Sequence, residues 1–571
     1  MPPTVSDTAP PAAPSATSPT VLTRPVRYHA DGGALLEHLT RAGLLRSAGR
    51  SVDDGEAAGV RPVDCVLLES ADITTKASRT TVAVLEASAR LTCWGGTVTA
   101  EALSTVDGEG PGADGLAALA RLEERLSEHL ADRSPGRLTL ALPTSADDDA
   151  TNATIEERER LTALSTIEAL RVLAQAEVDH PHLPLEAGAF AFDYLSTFES
   201  LPEVAQGANT CPDYLFYDAR IILVVDHPTQ EATLVGASVD AAELERRLDA
   251  LAAAINTAAD AAEHSPAPPE VAADSAVLHA VPTTSDADFE AVVETMRGYI
   301  ADGDVYQVVP SRGFTIDCPD ALAAYHVLRH ANPSPYMFYL AAPDFELFGA
   351  SPESALLYSV RSGRVAIRPI AGTRPRGLHL DGSVDHERDT RLELELRTDA
   401  KEVAEHVMLV DLARNDVARV SRPGTRSVQD LLRVDRYSRV MHLVSEVSGE
   451  LAEDLDALDA FRASMTMGTL TGAPKLRAAE LIRQAEGVRR GSYGGSVGYI
   501  RGDGELDTCI VIRSGFVVDG TALVQAGAGV VAASSPAAEA AETVHKARAV
   551  LEAVAAAQGA ALVIDTTGKE A

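Results

Sequence analysis

VMHLVSEVSGELAEDLDALDAFRASMTMGTLTGAPK, residues 440–475, is the stretch around which the second half of the chain is arranged. It places one histidine, His442, ahead of a glycine-bearing turn, GTLTGAPK at residues 468–475. A P-loop carries its lysine directly after the second glycine, but an alanine and a proline intervene here, so the turn does not match a nucleotide loop. Two interpretations remain: the backbone N–H groups of the turn face an anion, or the turn is an ordinary helix entry.

The composition indicates a large globular protein with an acidic surface. The 571 residues are 46% hydrophobic, and the formal net charge at pH 7 is −35. Nucleic acids and anionic membranes bind clustered Lys and Arg, so we expect no nucleic-acid partner and no membrane partner. An anionic small substrate would need locally concentrated donors or a bound cation to enter against this negative field.

The cysteines and the N-terminal residues both favour a cytoplasmic protein. The five cysteines are scattered and never stand in C-x-x-C spacing, so neither a disulfide framework nor a zinc site is predicted. Residues 1–20 are mainly Pro, Ala, Ser and Thr, lack a basic start and contain no continuous apolar run. We therefore expect a disordered tail over 1–25 rather than a cleaved secretory signal, and no stretch is apolar enough for a membrane helix.

The remaining chain divides at a proline-rich segment. Before it, short β-rich runs and helical apolar spacing at 153–178 predict an N-terminal domain over 26–270. An alanine-rich helix ends at prolines that cannot continue it, and 271–284 is predicted to be a linker. Alternating helices and strands then predict a second domain over 285–558, followed by a tail over 559–571.

Two helices of the second domain carry glutamates three residues apart. Glu402 and Glu405 form one pair, and Glu539 and Glu542 form the other. This spacing places both carboxylates of a pair on one helix face. Four carboxylates from two helices suit a hard divalent ion such as Mg²⁺, which prefers oxygen ligands. The alternative is that both pairs are solvated surface.

A series of glycine-rich and charged motifs occurs in a characteristic order. They are PIAGTRPRG at 369–377, EHVMLVDLARND at 405–416, GTLTGAPK at 468–475, YGGSVG at 493–498 and GAG at 527–529. This ordered set resembles the chorismate-binding enzymes. LLES at 67–70 and NPSPYMF at 332–338 are similar to motifs of the anthranilate synthase component I family. The resemblance covers essentially residues 63–555.

The resemblance implies an α+β fold in which two large, mainly antiparallel β-sheets pack as a sandwich with helices outside. It makes 26–270 a regulatory domain with part of a tryptophan site, and 285–558 the chorismate-binding catalytic domain. That family makes anthranilate and pyruvate from chorismate and ammonia with Mg²⁺, the first step of tryptophan biosynthesis. By resemblance the four glutamates surround Mg²⁺, which bridges to the ring carboxylate. A unit charge pair at about 4 Å contributes on the order of 4 kcal/mol at an effective dielectric near 20, enough to reverse a diffuse repulsion.

The resemblance also implies how the dianionic substrate is held. Arg513, Tyr493 and the backbone amides of 527–529 would bind the enolpyruvyl carboxylate. Without the resemblance, Arg513 is interpreted as an ordinary salt bridge and Tyr493 as a core ring. The full set of implied substrate-binding residues is Gly372, Thr373, Tyr493, Arg513, Gly527, Ala528 and Gly529.

Three residues are implied to carry the chemistry. Hydroxide leaves poorly, so the ring hydroxyl needs a proton, and the resemblance makes Glu353 the general acid, with a pKa raised by burial. His442 would orient or transfer protons while pyruvate leaves, and Thr469 would support the substrate. Taken alone, Glu353 is equally a surface loop residue, and a single histidine is more often structural.

Two substitutions separate the branches of the family. Isochorismate-forming relatives place a lysine base where this chain has Gln307, and glutamine cannot deprotonate water. The para-aminobenzoate branch has a lysine in its P-I-K-G-T motif, where this chain has Ala371, so a covalent amine mechanism has no nucleophile. Both differences favour direct addition of ammonia.

The resemblance further implies partners. Nothing in the sequence resembles a glutamine amidotransferase, so we expect a separate glutaminase subunit, component II, in a hetero-oligomer. L-Tryptophan is the expected inhibitor, and its implied contacts are Ser70, Pro335, Tyr336 and Met337. Two alternatives stay open: a catalytically silent homologue that binds tryptophan as a sensor, and an enzyme that stops at the amino-deoxy intermediate.

Overall fold

A computed structural model describes residues 18–49, 59–72, 77–106, 108, 110–144, 157–258, 276–379, 383–437 and 440–566. The strands are β1 Thr20–Val26, β2 Ser47–Gly49, β3 Val60–Pro62, β4 Cys65–Ala71, β5 Ser78–Trp94, β6 Thr97–Ala102, β7 Leu130–Ser134, β8 Arg137–Ala141, β9 Leu185–Phe190, β10 Tyr214–Asp226, β11 Glu231–Ser238, β12 Val277–Pro282, β13 Gln307–Val308, β14 Ser311–Asp317, β15 Tyr336–Ala341, β16 Glu346–Ser351, β17 Ser354–Ser359, β18 Arg364–Ile367, β19 Ile370–Pro375, β20 Ser427–Arg436, β21 Val440–Glu450, β22 Gly472–Ala473, β23 Ser496–Arg501, β24 Leu506–Ile510, β25 Ser514–Val518, β26 Thr521–Gly527 and β27 Ala561–Ile564. The α-helices are α1 Gly32–Arg41, α2 Ala113–Leu126, α3 Glu157–Thr162, α4 Glu168–Ala174, α5 Ala241–Thr257, α6 Asp286–Ala301, α7 Ala321–Ala331, α8 His386–Thr398, α9 Ala400–Val420, α10 Ala457–Ser464, α11 Lys475–Glu486 and α12 Pro536–Ala557.

Strand pairing joins the two halves of the chain into one hydrogen-bonded network of 23 strands. β9 pairs antiparallel with β10 on one side and with β23 on the other, and β4 pairs antiparallel with β15. Strands from before the predicted linker therefore share ladders with strands from after it. The α+β class with mainly antiparallel strands is confirmed, and β12 with β27 is a parallel pair.

Aromatic packing at β9 fixes the position of α10. All six residues of β9 are buried, and the Phe190 ring lies 4.4 Å from the ring of Phe461 in α10, measured between centroids. The same ring lies 4.7 Å from Phe216 in β10. Aromatic pairs at these separations add to the free energy of burial. The end of α10, and the segment that follows it, is thereby held against the sheet.

The long helix α12 lies outside the sheet with one apolar face turned inward. It begins at Pro536, which suits a first helical turn because its missing N–H would have no partner there. Its buried residues include Ala547, Val550, Leu551 and Val554, which recur at helical spacing. This packing sets the rotation of the helix, and therefore the direction in which its glutamates face.

Three of the predicted boundaries differ from the structure. The tail predicted over 1–25 contains β1, which pairs with β11, while residues 1–17 lie outside the described part. The predicted linker 271–284 contains β12, and the predicted tail 559–571 contains β27. These two strands pair with each other across about 280 residues of sequence, so neither carries a local signal of its own.

The predicted helix over 153–178 is divided. Its described part consists of α3 and α4, and the first four residues of the prediction lie outside the described ranges. Tyr214 donates its hydroxyl hydrogen to the carbonyl of Thr166 over 2.8 Å, between the two helices. Because this tertiary contact occupies the Thr166 carbonyl, it stabilises the break between α3 and α4. Among the helices that the structure describes, none has the length and apolarity to cross a membrane.

Candidate active site

Glutamates of α9 and α12 lie within electrostatic range of the same two lysines, Lys401 and Lys546. α9 starts at the cap residue Asp399, whose side chain accepts hydrogen bonds from the amides of Lys401 and Glu402. The charge of Lys401 partly offsets the raised pKa of Glu405 on its own helix and helps to lower the pKa of Glu542 on α12. Lys401 is therefore within electrostatic range of one predicted carboxylate on each helix.

On α9, the two carboxylates are held by neighbours from other elements. Arg374 donates to Glu402 Oε1 over 3.0 Å, and Gln307 Nε2 donates to Glu405 Oε1 over 3.0 Å. Burial raises the pKa of Glu405, and the nearby carboxylate of Glu402 raises it further. The two carboxylates therefore have different partners, a guanidinium for Glu402 and a neutral amide for Glu405.

On α12, the two carboxylates differ in environment. Glu539 is buried, and its pKa is raised by burial and by the neighbouring Glu542. Burial also acts to raise the pKa of Glu542, but Lys546 one turn later, with Nζ at 2.7 Å from Oε1, brings the net shift below the usual value. Burial therefore disfavours the charged form of Glu539, whereas the ion pair with Lys546 stabilises the charged form of Glu542.

The donor set fits a hard divalent cation that keeps part of its water. Within the described ranges, no three His, Cys, Asp or Glu side chains are grouped closely enough to ligate one ion directly. Mg²⁺ commonly binds through one or two carboxylates, several waters and an anionic substrate group, so a closed cage is not required. Burial, and to a lesser extent a neighbouring carboxylate, raises the pKa values of Glu405 and Glu539, and a bound cation would offset both effects.

Glu353 lies in the turn between β16 and β17, and its side chain is buried rather than on a surface loop. Burial raises the pKa of Glu353 to about 8, against opposing effects from Thr469, the backbone of Ile370 and Lys546. Glu353 and Thr469 line one cavity of about 20 Å³. The Thr469 hydroxyl is buried there without a hydrogen bond of ordinary geometry. A carboxyl in this environment holds its proton at neutral pH.

His442 lies on β21 beside the predicted substrate residues of β19. Its Nδ1 is 3.1 Å from the hydroxyl of Thr373 and 3.2 Å from the carbonyl oxygen of Gly372. Burial lowers the pKa of His442 to about 4, so the ring is neutral at pH 7. A carbonyl only accepts, so the ring that bonds to Gly372 carries its proton on Nδ1 and leaves Nε2 as the acceptor nitrogen.

The opposite end of the cleft contains cationic and hydroxyl donors. Arg513 is in the left-handed region, with φ +51, and donates to the carbonyl of Lys546 over 2.7 Å. Burial lowers the pKa of Arg513, and the groups that oppose this shift are Tyr493 and Glu542. Lys546 Nζ donates to the carbonyl of Gly527 over 3.0 Å. Arg513 is thus within electrostatic range of Glu542 on α12.

The GAG turn at 527–529 is only partly available as an anion-binding element. The amide of Ala528 already donates to the carbonyl of Pro310 over 3.1 Å, so the prediction that this amide binds substrate is not supported by the structure. A Cβ at Gly529 would lie 2.7 Å from Gln307 Nε2, and one at Gly527 would lie 3.1 Å from the Tyr493 hydroxyl. The two glycines let the backbone approach the cleft closely.

The four residues predicted to contact tryptophan lie around the ladder between β4 and β15. Glu69, next to Ser70, pairs with Met337, and Pro335 directly precedes β15. The Ser70 hydroxyl is 2.8 Å from the hydroxyl of Thr80. The Tyr336 hydroxyl donates to Asp507 over 3.1 Å.

The strand β15 also leads toward the catalytic acid. Tyr336 pairs with Ser351 at the end of β16. The Ser351 hydroxyl donates to the carbonyl of Glu353 over 3.2 Å and accepts from its amide over 3.3 Å. The predicted inhibitor contacts and the predicted acid therefore share one run of paired strands.

Sequence reasoning missed two residues of the cleft. Lys546 contacts Glu542 and Gly527 and acts on the pKa of both Glu353 and His442, yet no motif drew attention to it. Its spacing of four residues after Glu542 is a signal for an ion pair on one helix. Arg374 lies within a quoted motif without an assigned role, and its contact with Glu402 depends on tertiary packing.

Comparisons with known proteins identify relatives that span most of the chain. Residues 132–552 match the family described as chorismate binding enzyme. Anthranilate synthase component 1 of Vibrio cholerae is 48% identical over 500 residues, which cover 86% of this chain and 91% of that protein. The Escherichia coli protein of the same description is 47% identical over 530 residues, covering 92% and 98% of the two chains. The crystal structure of anthranilate synthase component I from Streptococcus pneumoniae aligns with a TM-score of 0.60 at 29% identity, covering 83% and 92%.

Proposed function

Because the chain belongs to the chorismate-binding enzyme family, we propose that it is the large subunit of an anthranilate synthase and forms anthranilate and pyruvate from chorismate and ammonia. The relatives at 47–48% identity over most of the chain support an enzyme of tryptophan biosynthesis. The observation that carries the proposal is the buried Glu353, which keeps its proton at neutral pH beside a cleft of glutamates and cations.

The cleft binds a dianion at two ends. At one end, Arg513 and Tyr493 supply donors for the enolpyruvyl carboxylate. At the other end, Glu402, Glu405, Glu539 and Glu542 would hold Mg²⁺. When bound, Mg²⁺ would supply positive charge for the ring carboxylate.

Glu353 acts in the first half of the reaction as the proton donor. A protonated carboxyl next to the leaving hydroxyl converts a poor leaving group into water, while ammonia adds to the ring. Ammonia adds directly because neither Gln307 nor Ala371 is a base or a nucleophile. Burial of the carboxyl excludes bulk water from the proton transfer.

His442 acts in the second half of the reaction. Its ring is neutral, and the Gly372 carbonyl directs the proton to Nδ1. Nε2 is then ready to accept the ring proton as pyruvate leaves and the ring becomes aromatic. Thr373, opposite His442 in the ladder, fixes the ring orientation through its hydroxyl.

Ammonia-dependent turnover tests the proposal directly. We expect the purified chain, given chorismate, Mg²⁺ and an ammonium salt, to release anthranilate and pyruvate in equal amounts. We expect no turnover when glutamine replaces ammonium, because the partner subunit would supply the glutaminase. Anthranilate fluorescence and a coupled pyruvate assay measure both products.

The same assay separates the two remaining alternatives. A silent homologue that only binds tryptophan would release neither product. An enzyme that stops at the amino-deoxy intermediate would consume chorismate without releasing pyruvate. Glutamine-dependent turnover by the isolated chain would contradict the proposed glutaminase partner.

Tryptophan inhibition is tested at the ladder between β4 and β15. We expect Ser70→Phe to raise the tryptophan concentration for half-inhibition by at least about tenfold, which corresponds to about 1.4 kcal/mol. The larger ring would fill the space beside β15 while the catalytic cleft stays intact. Initial rates across a tryptophan titration provide the measurement.

The matched control is Ser134→Phe, a serine exposed on β7 in the same half of the chain. It should leave both inhibition and turnover unchanged. Unchanged inhibition in Ser70→Phe would exclude the ladder between β4 and β15 as the inhibitor site.

A further inference from the structure

A buried lysine behind the cleft has no role in the proposed chemistry. Lys475, the last residue of the GTLTGAPK motif, directs Nζ to Asp416 Oδ2 at 2.6 Å and to the carbonyl of Ser464 at 2.8 Å. The side chains of Lys475 and Asp416 are 13% and 9% exposed. Burial lowers the pKa of Lys475 and raises that of Asp416, and each is opposed by its partner.

The two bonds of Lys475 close a segment of chain at its base. Ser464 is the last residue of α10 and Lys475 is the first of α11, so the bond between them joins both ends of residues 465–474. Asp416 belongs to α9, three turns after Glu405. The ion pair therefore fastens this closed segment to the helix that carries two of the proposed Mg²⁺ ligands.

The closed segment lies next to the proposed general acid and supports a residue that contacts a proposed Mg²⁺ ligand. Its Thr469 lines the small cavity with Glu353, and Asp416 lines the same cavity. Its Gly472 and Ala473 form β22, which pairs with β13. Through that pairing the segment supports Gln307, whose amide donates to Glu405.

The segment also lies against α9 with almost no free space. A Cβ at Gly468 would lie 2.1 Å from Cδ2 of Leu412, so the backbone at this point packs directly on the helix. Arg490 holds the other side by donating to the carbonyl of Leu470 over 2.8 Å. A shift of α9 or of the base of the segment would therefore move Thr469 relative to Glu353.

We propose that Lys475 and Asp416 are positioning residues, which form a clamp that holds Thr469 and Gln307 in register with Glu353 and Glu405. The clamp acts on turnover rather than on substrate affinity, because neither residue is among those assigned to the substrate. A buried ion pair contributes little to stability compared with apolar packing, so a positioning role also accounts for its use here. This inference rests on the proposed function of the cleft.

The test compares turnover with stability. We expect Lys475→Met to lower kcat about 10²-fold, because displacement of catalytic groups by about 1 Å has effects of that size, while KM for chorismate changes less than about threefold. Asp416→Asn should lower kcat in the same direction. The double variant Asp416→Asn/Lys475→Met should lose no more than the more severe single variant, because the two residues act as one unit.

The control is Glu86→Gln, which weakens a comparably buried ion pair in the first half of the chain. Glu86 binds Arg220 and Arg247, and its side chain is 5% exposed. It should lower the melting temperature and leave kcat unchanged. If Lys475→Met does not fold, kcat is measured on the double variant instead. The double variant removes both charges, so no unpaired buried charge remains.

Each outcome bears on a different claim. A variant of the clamp with wild-type kcat overturns the clamp and leaves the proposed function standing. A loss of kcat in Glu86→Gln equal to that in the clamp variants, at an equal loss of melting temperature, assigns the effect to stability and also overturns the clamp. A wild-type chain that forms no anthranilate overturns the proposed function, and the kinetic role of the clamp with it.

Discussion

Glu353→Gln is expected to lower kcat about 10³-fold, within the range of effects measured for general acids, while KM for chorismate stays within about threefold. Glutamine has nearly the same shape and can still donate a hydrogen bond, but it cannot give up a proton to the leaving hydroxyl. Steady-state kinetics with saturating ammonium measure the loss.

The pH profile gives this prediction a second readout. Burial raises the pKa of Glu353 to about 8, so the carboxyl is protonated and competent below that pH and loses its proton above it. We therefore expect kcat/KM of the wild-type chain to fall as the pH rises through about 8. The Glu353→Gln variant should lack this fall, because the group that titrates is absent.

Glu186→Gln is the matched control for Glu353→Gln. Glu186 is fully buried on β9, and burial also raises its pKa well above the usual value, with Asp218 raising it further. It does not line the cavity that contains Glu353. Its replacement should leave kcat unchanged, and retention of more than a tenth of wild-type kcat by Glu353→Gln would exclude Glu353 as the acid.

Removal of Mg²⁺ is expected to lower turnover by about 10³-fold, since metal stabilisation of developing charge contributes several kcal/mol. A chelator followed by readdition of Mg²⁺ measures the effect. Glu405→Gln should raise the Mg²⁺ concentration for half-maximal rate by at least about tenfold, because it removes one carboxylate of the proposed set.

Calorimetry tests the same site without turnover. Burial and neighbouring carboxylates raise the pKa values of Glu405 and Glu539, so protons compete with Mg²⁺ for these carboxylates as the pH falls. We expect weaker Mg²⁺ binding at lower pH. Glu552→Gln, on the exposed side of α12, is the control and should leave Mg²⁺ binding unchanged. Equal Mg²⁺ affinity in Glu405→Gln and Glu552→Gln would place the metal elsewhere.

The local spacing in the sequence predicts which glutamates share a helix face, but not which residues of other elements contact them. Glutamates three residues apart share a helix face wherever the helix lies, so Glu402 and Glu405 were identifiable from the chain. The contact of Arg374 with Glu402 requires β19 to lie against α9, and no local pattern determines that. The Pro310 carbonyl that occupies the Ala528 amide is likewise visible only after the strands pair.

The same limit applies to the fold. The helices and strands of the second half were predictable because their apolar spacing is regular. β1 begins where the Pro-, Ala-, Ser- and Thr-rich segment ends, and its sequence, TVLTRPV, is stabilised as a strand by its ladder with β11. β12 and β27 depend on each other in the same way, and strand formation reflects such partners more than intrinsic preference.

The pairing of Tyr336 with Ser351 has a consequence for regulation. If tryptophan displaces the start of β15, the movement reaches the backbone on either side of Glu353 through a single rung and one serine hydroxyl. Inhibition by tryptophan would then require no long-range rearrangement of the protein. A displacement of the strand end would then move the carboxyl that protonates the leaving hydroxyl.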